Sequence, residues 1–379
     1  MTDSKDYDDI RPYNDDEIPA AMQRIADSAV FPLLASYVFP EMDIAVVKEK
    51  IKSIRTVEQL QSQVMFYLFD QVIKRSITEF TFSGVEHLSH GTAYLFIGNH
   101  RDIVLDSSLM QCILYTNGFT TSEITFGANL MQNQLIVDIG KANKMFKVER
   151  PGNDMKAFYR SSSHLSAYIR HTICQKGLSV WIAQRNGRTK DGKDVTDQGI
   201  IKMLGMSRSG DKVDSIAELH IVPVAISYEW EPCDILKALE VYERQQIGRY
   251  VKKPGEDMNS ILTGLIQPKG KVHLEFCKPL QKEELTQFDA CTLNVFNRSV
   301  ATLIDQRIHS AYRLMATNYI AHDLRYGRNE YADRYTRNQK ETFLHHLSLL
   351  NRYGDTCDME TLTDILLGIY SNPVDMAGK

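Results

Sequence analysis

Residues Ala93 to Met110 read AYLFIGNHRDIVLDSSLM. The apolar run Tyr94-Leu95-Phe96-Ile97 has the pattern of a buried strand, and it breaks at Gly98-Asn99. His100, Arg101 and Asp102 follow the break. Ile103, Val104, Leu105, Leu109 and Met110 then recur near helical spacing, which predicts a helix over 103–115. A histidine at the mouth of a strand, with carboxylates two and six residues on, fits an acid/base site. Imidazole titrates near neutral pH, and a carboxylate on its far nitrogen sets the tautomer and raises its basicity. Taken alone, a His beside an Asp is more often a surface hydrogen bond, and Asp102 is placed to cap the following helix.

The His-Arg-Asp triplet also occurs in kinase catalytic loops. This chain has neither the glycine-rich loop nor the Asp-Phe-Gly that accompanies it there.

Outward from this stretch, short apolar runs alternate with helical patterns. Strands are expected over 78–83, 94–98, 123–128, 145–149, 178–183, 219–228 and 272–277. Helices are expected over 103–115, 129–139, 154–175, 197–207 and 233–244. That alternation predicts an α/β domain at 79–285, with a mixed, largely parallel sheet flanked by helices. Function in such sheets sits where strand ends enter loops. Before it, residues 1–15 read as a flexible acidic arm and 16–78 as a helical lead-in. After it, 286–379 read as a helical tail.

The 379 residues are 43% hydrophobic and 24% charged, which is ordinary globular composition. A net charge of −4 argues against broad nucleic-acid binding but leaves room for a local basic pocket. None of the six cysteines forms a CxxC pair, and they read as core thiols of a reducing compartment. The acidic N-terminus resembles neither a signal nor a transit peptide. No run reaches the roughly 18 to 20 apolar residues of a spanning helix. Residues 29–40, AVFPLLASYVFP, are short and interrupted by Pro32, and are expected to pack on the domain rather than lie on a membrane. His87 and His90 are spaced HxxH without a completing ligand set, so no metal is expected.

Three further blocks bear chemistry. Met145 to Gly152 is a strand ending in Glu149-Arg150 and a turn, and Arg150 offers a donor fork suited to phosphate. Val180 to Gly192 is an apolar strand running into a loop with Arg185, Arg188 and Lys190, a candidate anion site. Ile221 to Tyr228 is a buried strand in which Pro223 marks the strand's start or a bulge.

The order of the four blocks resembles the glycerolipid acyltransferase superfamily, which includes glycerol-3-phosphate and 1-acylglycerol-3-phosphate acyltransferases. Its blocks are a His-x4-Asp motif, a strand ending in arginine, a Glu-Gly-x-Arg loop and an apolar strand carrying proline. They correspond to Asn99-His100 through Asp106, Phe146 to Arg150, Gln184 to Arg188, and Val222-Pro223-Val224. Lys271 to Leu280 resembles the family's closing strand, and the likeness spans residues 79–285. Two departures stand out. Five residues separate His100 from Asp106, where the family has four, so either the loop holds one extra residue or Asp102 takes the carboxylate role; Asp106 is preferred. The family glutamate falls on Arg185 or Asn186, and neither is acidic.

The resemblance implies acyl transfer from acyl-CoA or acyl carrier protein to the hydroxyl of a glycerophosphate or lysophospholipid, in phospholipid biosynthesis. His100 would be the general base, Asp106 its partner (alternatively Asp102), and Arg150, Arg188 and Arg101 the phosphate contacts. No cofactor beyond the acyl donor is implied. Bilayer access would come through peripheral attachment to the cytoplasmic face of a membrane. The alternative is a non-catalytic lipid- or acyl-binding protein that retains the acyltransferase fold.

Overall fold

Seven short runs form one sheet: β1 (Ile77–Ser83), β2 (Leu95–Gly98), β3 (Glu123–Gly127), β4 (Met145–Val148), β5 (Val180–Ala183), β6 (Ile221–Tyr228) and β7 (Gly270–Phe276). The computed structural model describes residues 4–131, 133–149, 154–207 and 210–377. Strand order is β1-β7-β6-β2-β5-β3-β4. The β6, β2, β5, β3 and β4 strands are parallel; β7 runs antiparallel to β6, and β1 lies parallel to β7. The sheet is therefore mixed and largely parallel, with helices on both faces, and the fold class is α/β.

Alternation along β2 shows why the central strands β2, β5 and β6 are apolar. Leu95 and Ile97 point to a core shared with Tyr168, Ile169 and Ile173 of the Met155–Cys174 helix and with Phe296, Val300 and Ile304 of the Leu293–Ala311 helix. Phe96 points to the opposite core, with Leu105, Leu109 and Ile113 of the Leu105–Thr116 helix and Phe69 and Val72 of the Phe66–Ser76 helix. Covering both faces is what a parallel sheet requires, and each fully buried aliphatic contributes about 1.5 to 3 kcal/mol.

Pro223 is the third residue of β6, not its first. Its carbonyl accepts from the Cys277 amide, one step beyond the last β6–β7 pair, Val224 with Phe276. The reciprocal bond would need the N–H that proline lacks, so the antiparallel ladder stops there.

The acidic start of the chain does not stay detached. Tyr7 and Ile10 are buried, and the Tyr7 ring packs against those of His164, Tyr168 and His171. The Ile10 carbonyl accepts from Lys147 at the outer edge of β4. Two apolar side chains among the aspartates suffice to anchor the described part of the segment. In residues 29–40, the Phe31–Val38 helix buries Phe31 and Ala35 but leaves Leu33 73% exposed.

Helices Lys212–Ala217 and Glu256–Ile266 were not expected from periodicity, while Ala316–Tyr326 falls inside the expected helical tail. Of the tail, the Leu293–Ala311 helix joins the sheet's core, while the part from Ala316 on forms a second cluster around Phe343, Leu366, Ile369 and Tyr370 that packs against Ile235 and Ala238 of the Asp234–Ile247 helix.

Candidate active site

The central strand β2 lies between β5 and β6, and it delivers His100 to their shared carboxyl-terminal edge. Gly98 ends the strand where a Cβ would sit 3.0 Å from the Trp181 indole nitrogen. Asn99 then continues the ladder with its side chain. Its amide donates to the Ile226 carbonyl at 3.0 Å, and its oxygen accepts from the Ile226 amide at 2.8 Å. The histidine loop is thereby pinned to β6 before it turns.

His100 Nδ1 lies 2.9 Å from Asp106 Oδ2, in the first turn of the Leu105–Thr116 helix. The same oxygen accepts from the Arg101 amide at 2.7 Å and the Asp102 amide at 2.9 Å, and Oδ1 accepts from the Tyr228 hydroxyl at 2.8 Å. The five intervening residues thus wrap the carboxylate rather than displace it. The helix N-terminus further favours its negative charge. A carboxylate only accepts, so Nδ1 is the donor and Nε2 carries the lone pair. Nε2 has no protein partner among the described residues, and the side chain retains 14% exposure. Trp181 meets the imidazole edge to face, with ring centroids 5.9 Å apart. Burial, and then the charge of Asp106, push the Tyr228 hydroxyl far above its ordinary pKa, so it stays a donor.

Asp102 does not take the carboxylate role. Its Oδ1 accepts from the Val104 and Leu105 amides, both at 2.8 Å, and so holds the turn that leads into the Leu105–Thr116 helix. Its Oδ2 is buried without a hydrogen-bond partner. Burial, and then the neighbouring Asp106 charge, raise its carboxyl above the ordinary range.

Arg101 is not a phosphate contact. Its side chain is 1% exposed and fully engaged. Nη2 donates to Asp194 Oδ2 at 2.7 Å and to the Gly192 carbonyl at 3.3 Å; Nε reaches the same Asp194 oxygen at 3.1 Å; Nη1 meets Glu231 at 3.1 Å. Lys237 pairs with Glu231 and donates to the Arg101 carbonyl at 2.7 Å. Two buried cations thus face two buried carboxylates, and the cluster is neutral. Burial alone would raise the Asp194 carboxyl. The Arg101 charge outweighs that, with hydrogen bonds from Arg101, Asn99 and Thr189, and holds it below the ordinary value.

This cluster also braces the loop that lacks the family glutamate. Thr189 donates its amide to the His100 carbonyl at 2.7 Å and its hydroxyl to Asp194 at 2.7 Å. The backbone N–H of Gln184 donates to the Gly98 carbonyl at 2.8 Å. Gly192 has φ +76°, and a Cβ there would lie 2.2 Å from the Ile369 carbonyl oxygen, so the loop sits directly on the Met359–Ala377 helix of the tail. Asn372 clamps it further through the Asp191 carbonyl at 2.6 Å.

Two of the three cations expected to make an anion site after β5 differ in their partners. Lys190 is neutralised by Glu240. Arg188 lines a cavity of about 390 Å³ with Lys237, and its Nη1 is buried with no acceptor. That cavity adjoins the histidine loop through two links: Lys237 on the Arg101 carbonyl and Thr189, next to Arg188, on the His100 carbonyl. Arg150 lies outside the described residues. β4, which precedes it, ends at the same edge of the sheet as β2, three strands away.

Sequence reasoning overlooked Asn99, Trp181, Tyr228, Asp194, Glu231 and Lys237 as site residues. Tyr228 carried one usable signal: it closes a strand parallel to β2, so it reaches the same edge. Asp194, Glu231 and Lys237 carry no local signal.

No family model and no curated protein sequence matches the chain. Among solved structures it is similar to the crystal structure of the 1-acyl-sn-glycerophosphate (LPA) acyltransferase, PlsC, from Thermotoga maritima. The identity is 14%, over 76% of this chain and 94% of that one, with a TM-score of 0.33. A match that loose does not establish a shared fold, and the architecture stands on the strand order itself.

Proposed function

We propose that the chain is an O-acyltransferase, moving an acyl group from acyl-CoA or acyl carrier protein to the hydroxyl of a glycerophosphate or lysophospholipid. The observation that carries this reading is the His100–Asp106 pair, with its Nε2 unengaged at the strand edge. An alcohol is a poor nucleophile until a base removes its proton as it attacks. Nε2 takes that proton while the hydroxyl oxygen forms a bond to the thioester carbonyl carbon. The C–S bond then breaks, and the departing thiolate takes the proton from Nε2, which leaves a free thiol and a neutral imidazole. Asp106 keeps the tautomer and balances the imidazolium. Its four donors hold it in place without a serine or cysteine nucleophile.

Arg188 grips the acceptor phosphate, because its Nη1 is a buried donor still lacking an acceptor. Arg150 is the second phosphate contact on the resemblance alone. The alternative of a non-catalytic binding protein loses its motive, because Asp194 and Arg101 brace the loop that the absent glutamate would have supported.

Product analysis by mass spectrometry, with acyl-CoA or acyl carrier protein as donor and glycerol 3-phosphate or a lysolipid as acceptor, tests the reading. Acylated acceptor is expected. Bound donor without product would favour a binding protein, and free fatty acid without acceptor a hydrolase.

No helix among the described residues is long and apolar enough to cross a membrane. Lipid access is proposed to be peripheral, at a cytoplasmic membrane face. Ile247, Val251, Leu262 and Ile266 are each more than half exposed, and they flank the segment that walls the Arg188 cavity. Leu33 of the lead-in is exposed as well. Burying an aliphatic side chain contributes about 1.5 kcal/mol or more, so replacing both Leu262 and Ile266 by glutamate should lower vesicle binding at least about tenfold. Flotation with phosphatidylglycerol-containing vesicles reads this, and unchanged binding of the double variant would remove this face from the account.

A further inference from the structure

The cavity beside the histidine loop is walled by the Asp234–Ile247 helix, the Glu256–Ile266 helix and the connection between them. Its volume of about 390 Å³ exceeds what a bare phosphate needs. The charges on its wall are mostly cancelled within the protein. Lys237 is paired with Glu231, Glu240 is shared by Lys190 and Arg244, and Glu243 meets Lys253 at 3.8 Å. Two groups are left over.

One is Arg188, whose Nη1 is buried without an acceptor; the buried Asp102 carboxyl feels its charge, but its Oδ2 makes no hydrogen bond. The other is Glu256. Its Oε2 accepts from the Tyr250 hydroxyl at 2.5 Å and the Lys253 amide at 3.1 Å, and no cation pairs with it among the described residues. Burial raises the Tyr250 pKa, so that hydroxyl remains a neutral donor and does not cancel the carboxylate. The cavity therefore presents one buried guanidinium donor without an acceptor and one carboxylate without a cation among the described residues, each able to take a charged partner.

A dianionic phosphate monoester, such as glycerol 3-phosphate or lysophosphatidate, would satisfy Arg188 while bringing two negative charges towards Glu256. A phosphodiester carries one negative charge, and an amine on its far side answers the carboxylate. We infer that this cavity receives a zwitterionic head group, a phosphodiester of an amino alcohol, and that the acceptor is a lysophospholipid of that class. The inference rests on the acyl-transfer reading for what happens to the ligand. The recognition chemistry itself is independent of catalysis.

The test therefore has two arms on the full-length chain. Calorimetric titration compares glycerophosphoethanolamine, glycerophosphoglycerol and glycerol 3-phosphate. The first should bind at least about tenfold more tightly than the other two. Glu256→Gln should erase that preference, and Arg188→Met should weaken all three; thermal melts establish that both variants are folded. Equal or tighter binding of glycerol 3-phosphate or glycerophosphoglycerol, or a preference that survives Glu256→Gln, overturns the inference.

The second arm offers acyl-CoA with lysophosphatidylethanolamine or lysophosphatidate in mixed micelles, separating a lipid-borne head group from a free one. Faster acylation of lysophosphatidylethanolamine supports the inference, and equal or faster acylation of lysophosphatidate overturns it while leaving acyl transfer standing. If the titration shows the preference but neither lysolipid is acylated, the head-group site stands and the acyl-transfer reading falls.

Discussion

His100→Ala is expected to reduce acyl-transfer turnover by roughly 10²- to 10⁴-fold, the usual contribution of a positioned general base. The loss should fall on turnover rather than on acceptor affinity, because the cavity holding Arg188 does not include the imidazole among its lining residues. The fold should survive. Asp106 keeps three other donors, the Arg101 and Asp102 amides and the Tyr228 hydroxyl, so the substitution leaves no unsatisfied carboxylate behind. Single-turnover assays with a folded variant check this. Turnover within a factor of about two of the wild type would sink the base assignment, and with it the chemistry proposed for this edge of the sheet.

Asp194→Asn should be the most destabilising substitution near the site. It leaves the Arg101 guanidinium, 1% exposed, short of one of its two carboxylates, and breaking a buried pair from one side costs about 3 to 5 kcal/mol. It also weakens what holds the loop 184–197 to the histidine loop, since Asn99 and Thr189 converge on the same carboxylate. Turnover should therefore fall along with stability. The pH dependence has a defined sign. A carboxyl held below its ordinary value of 3.8 stabilises the fold fully above that value. That contribution disappears as the pH falls from 3.8 through the lower folded-state pKa. The wild type should lose this increment on acidification, and the Asn variant should have none to lose. Urea unfolding at pH 7 and in the acid range measures both. A shift of less than about 1 kcal/mol at pH 7 would mean the cluster is not the brace described here.

Much of the scaffold was readable before any coordinates. All seven strands were placed to within a residue or two. The central β2, β5 and β6 read as apolar runs, because a strand buried on both faces has no room for a charged side chain, whereas β1 and β7 keep Glu79, Lys271 and Glu275. The Glu256–Ile266 helix was missed for an equally physical reason. Asn259, Thr263 and Gly264 are poor helix formers, and nothing in local propensity favours a helix there. Tertiary packing explains Gly264: a Cβ at that position would lie 2.1 Å from Asp102 Oδ2, so only glycine lets the helix approach the site. Residues 4–15 were misjudged because six aspartates dominate the first sixteen residues, while burial of Tyr7 and Ile10 decides where the segment goes.

By itself, the amino-acid sequence determined the alternation of strand and helix, the placement of His100 at a strand end, and a choice of two nearby carboxylates. These follow from short-range pattern, where the residues that interact lie within a turn or two of each other. Only the tertiary structure decided that Asp106 meets the imidazole, that Arg101 is a buried brace, that Lys190 is paired with Glu240, and that Arg188 lines a cavity with a buried donor lacking an acceptor. Those outcomes depend on Asp194, Glu231 and Glu240, which lie 93, 130 and 50 residues away from the cations they neutralise. A charge pattern along the chain does not show which cation is already spent, because neutralisation is settled by distance in space.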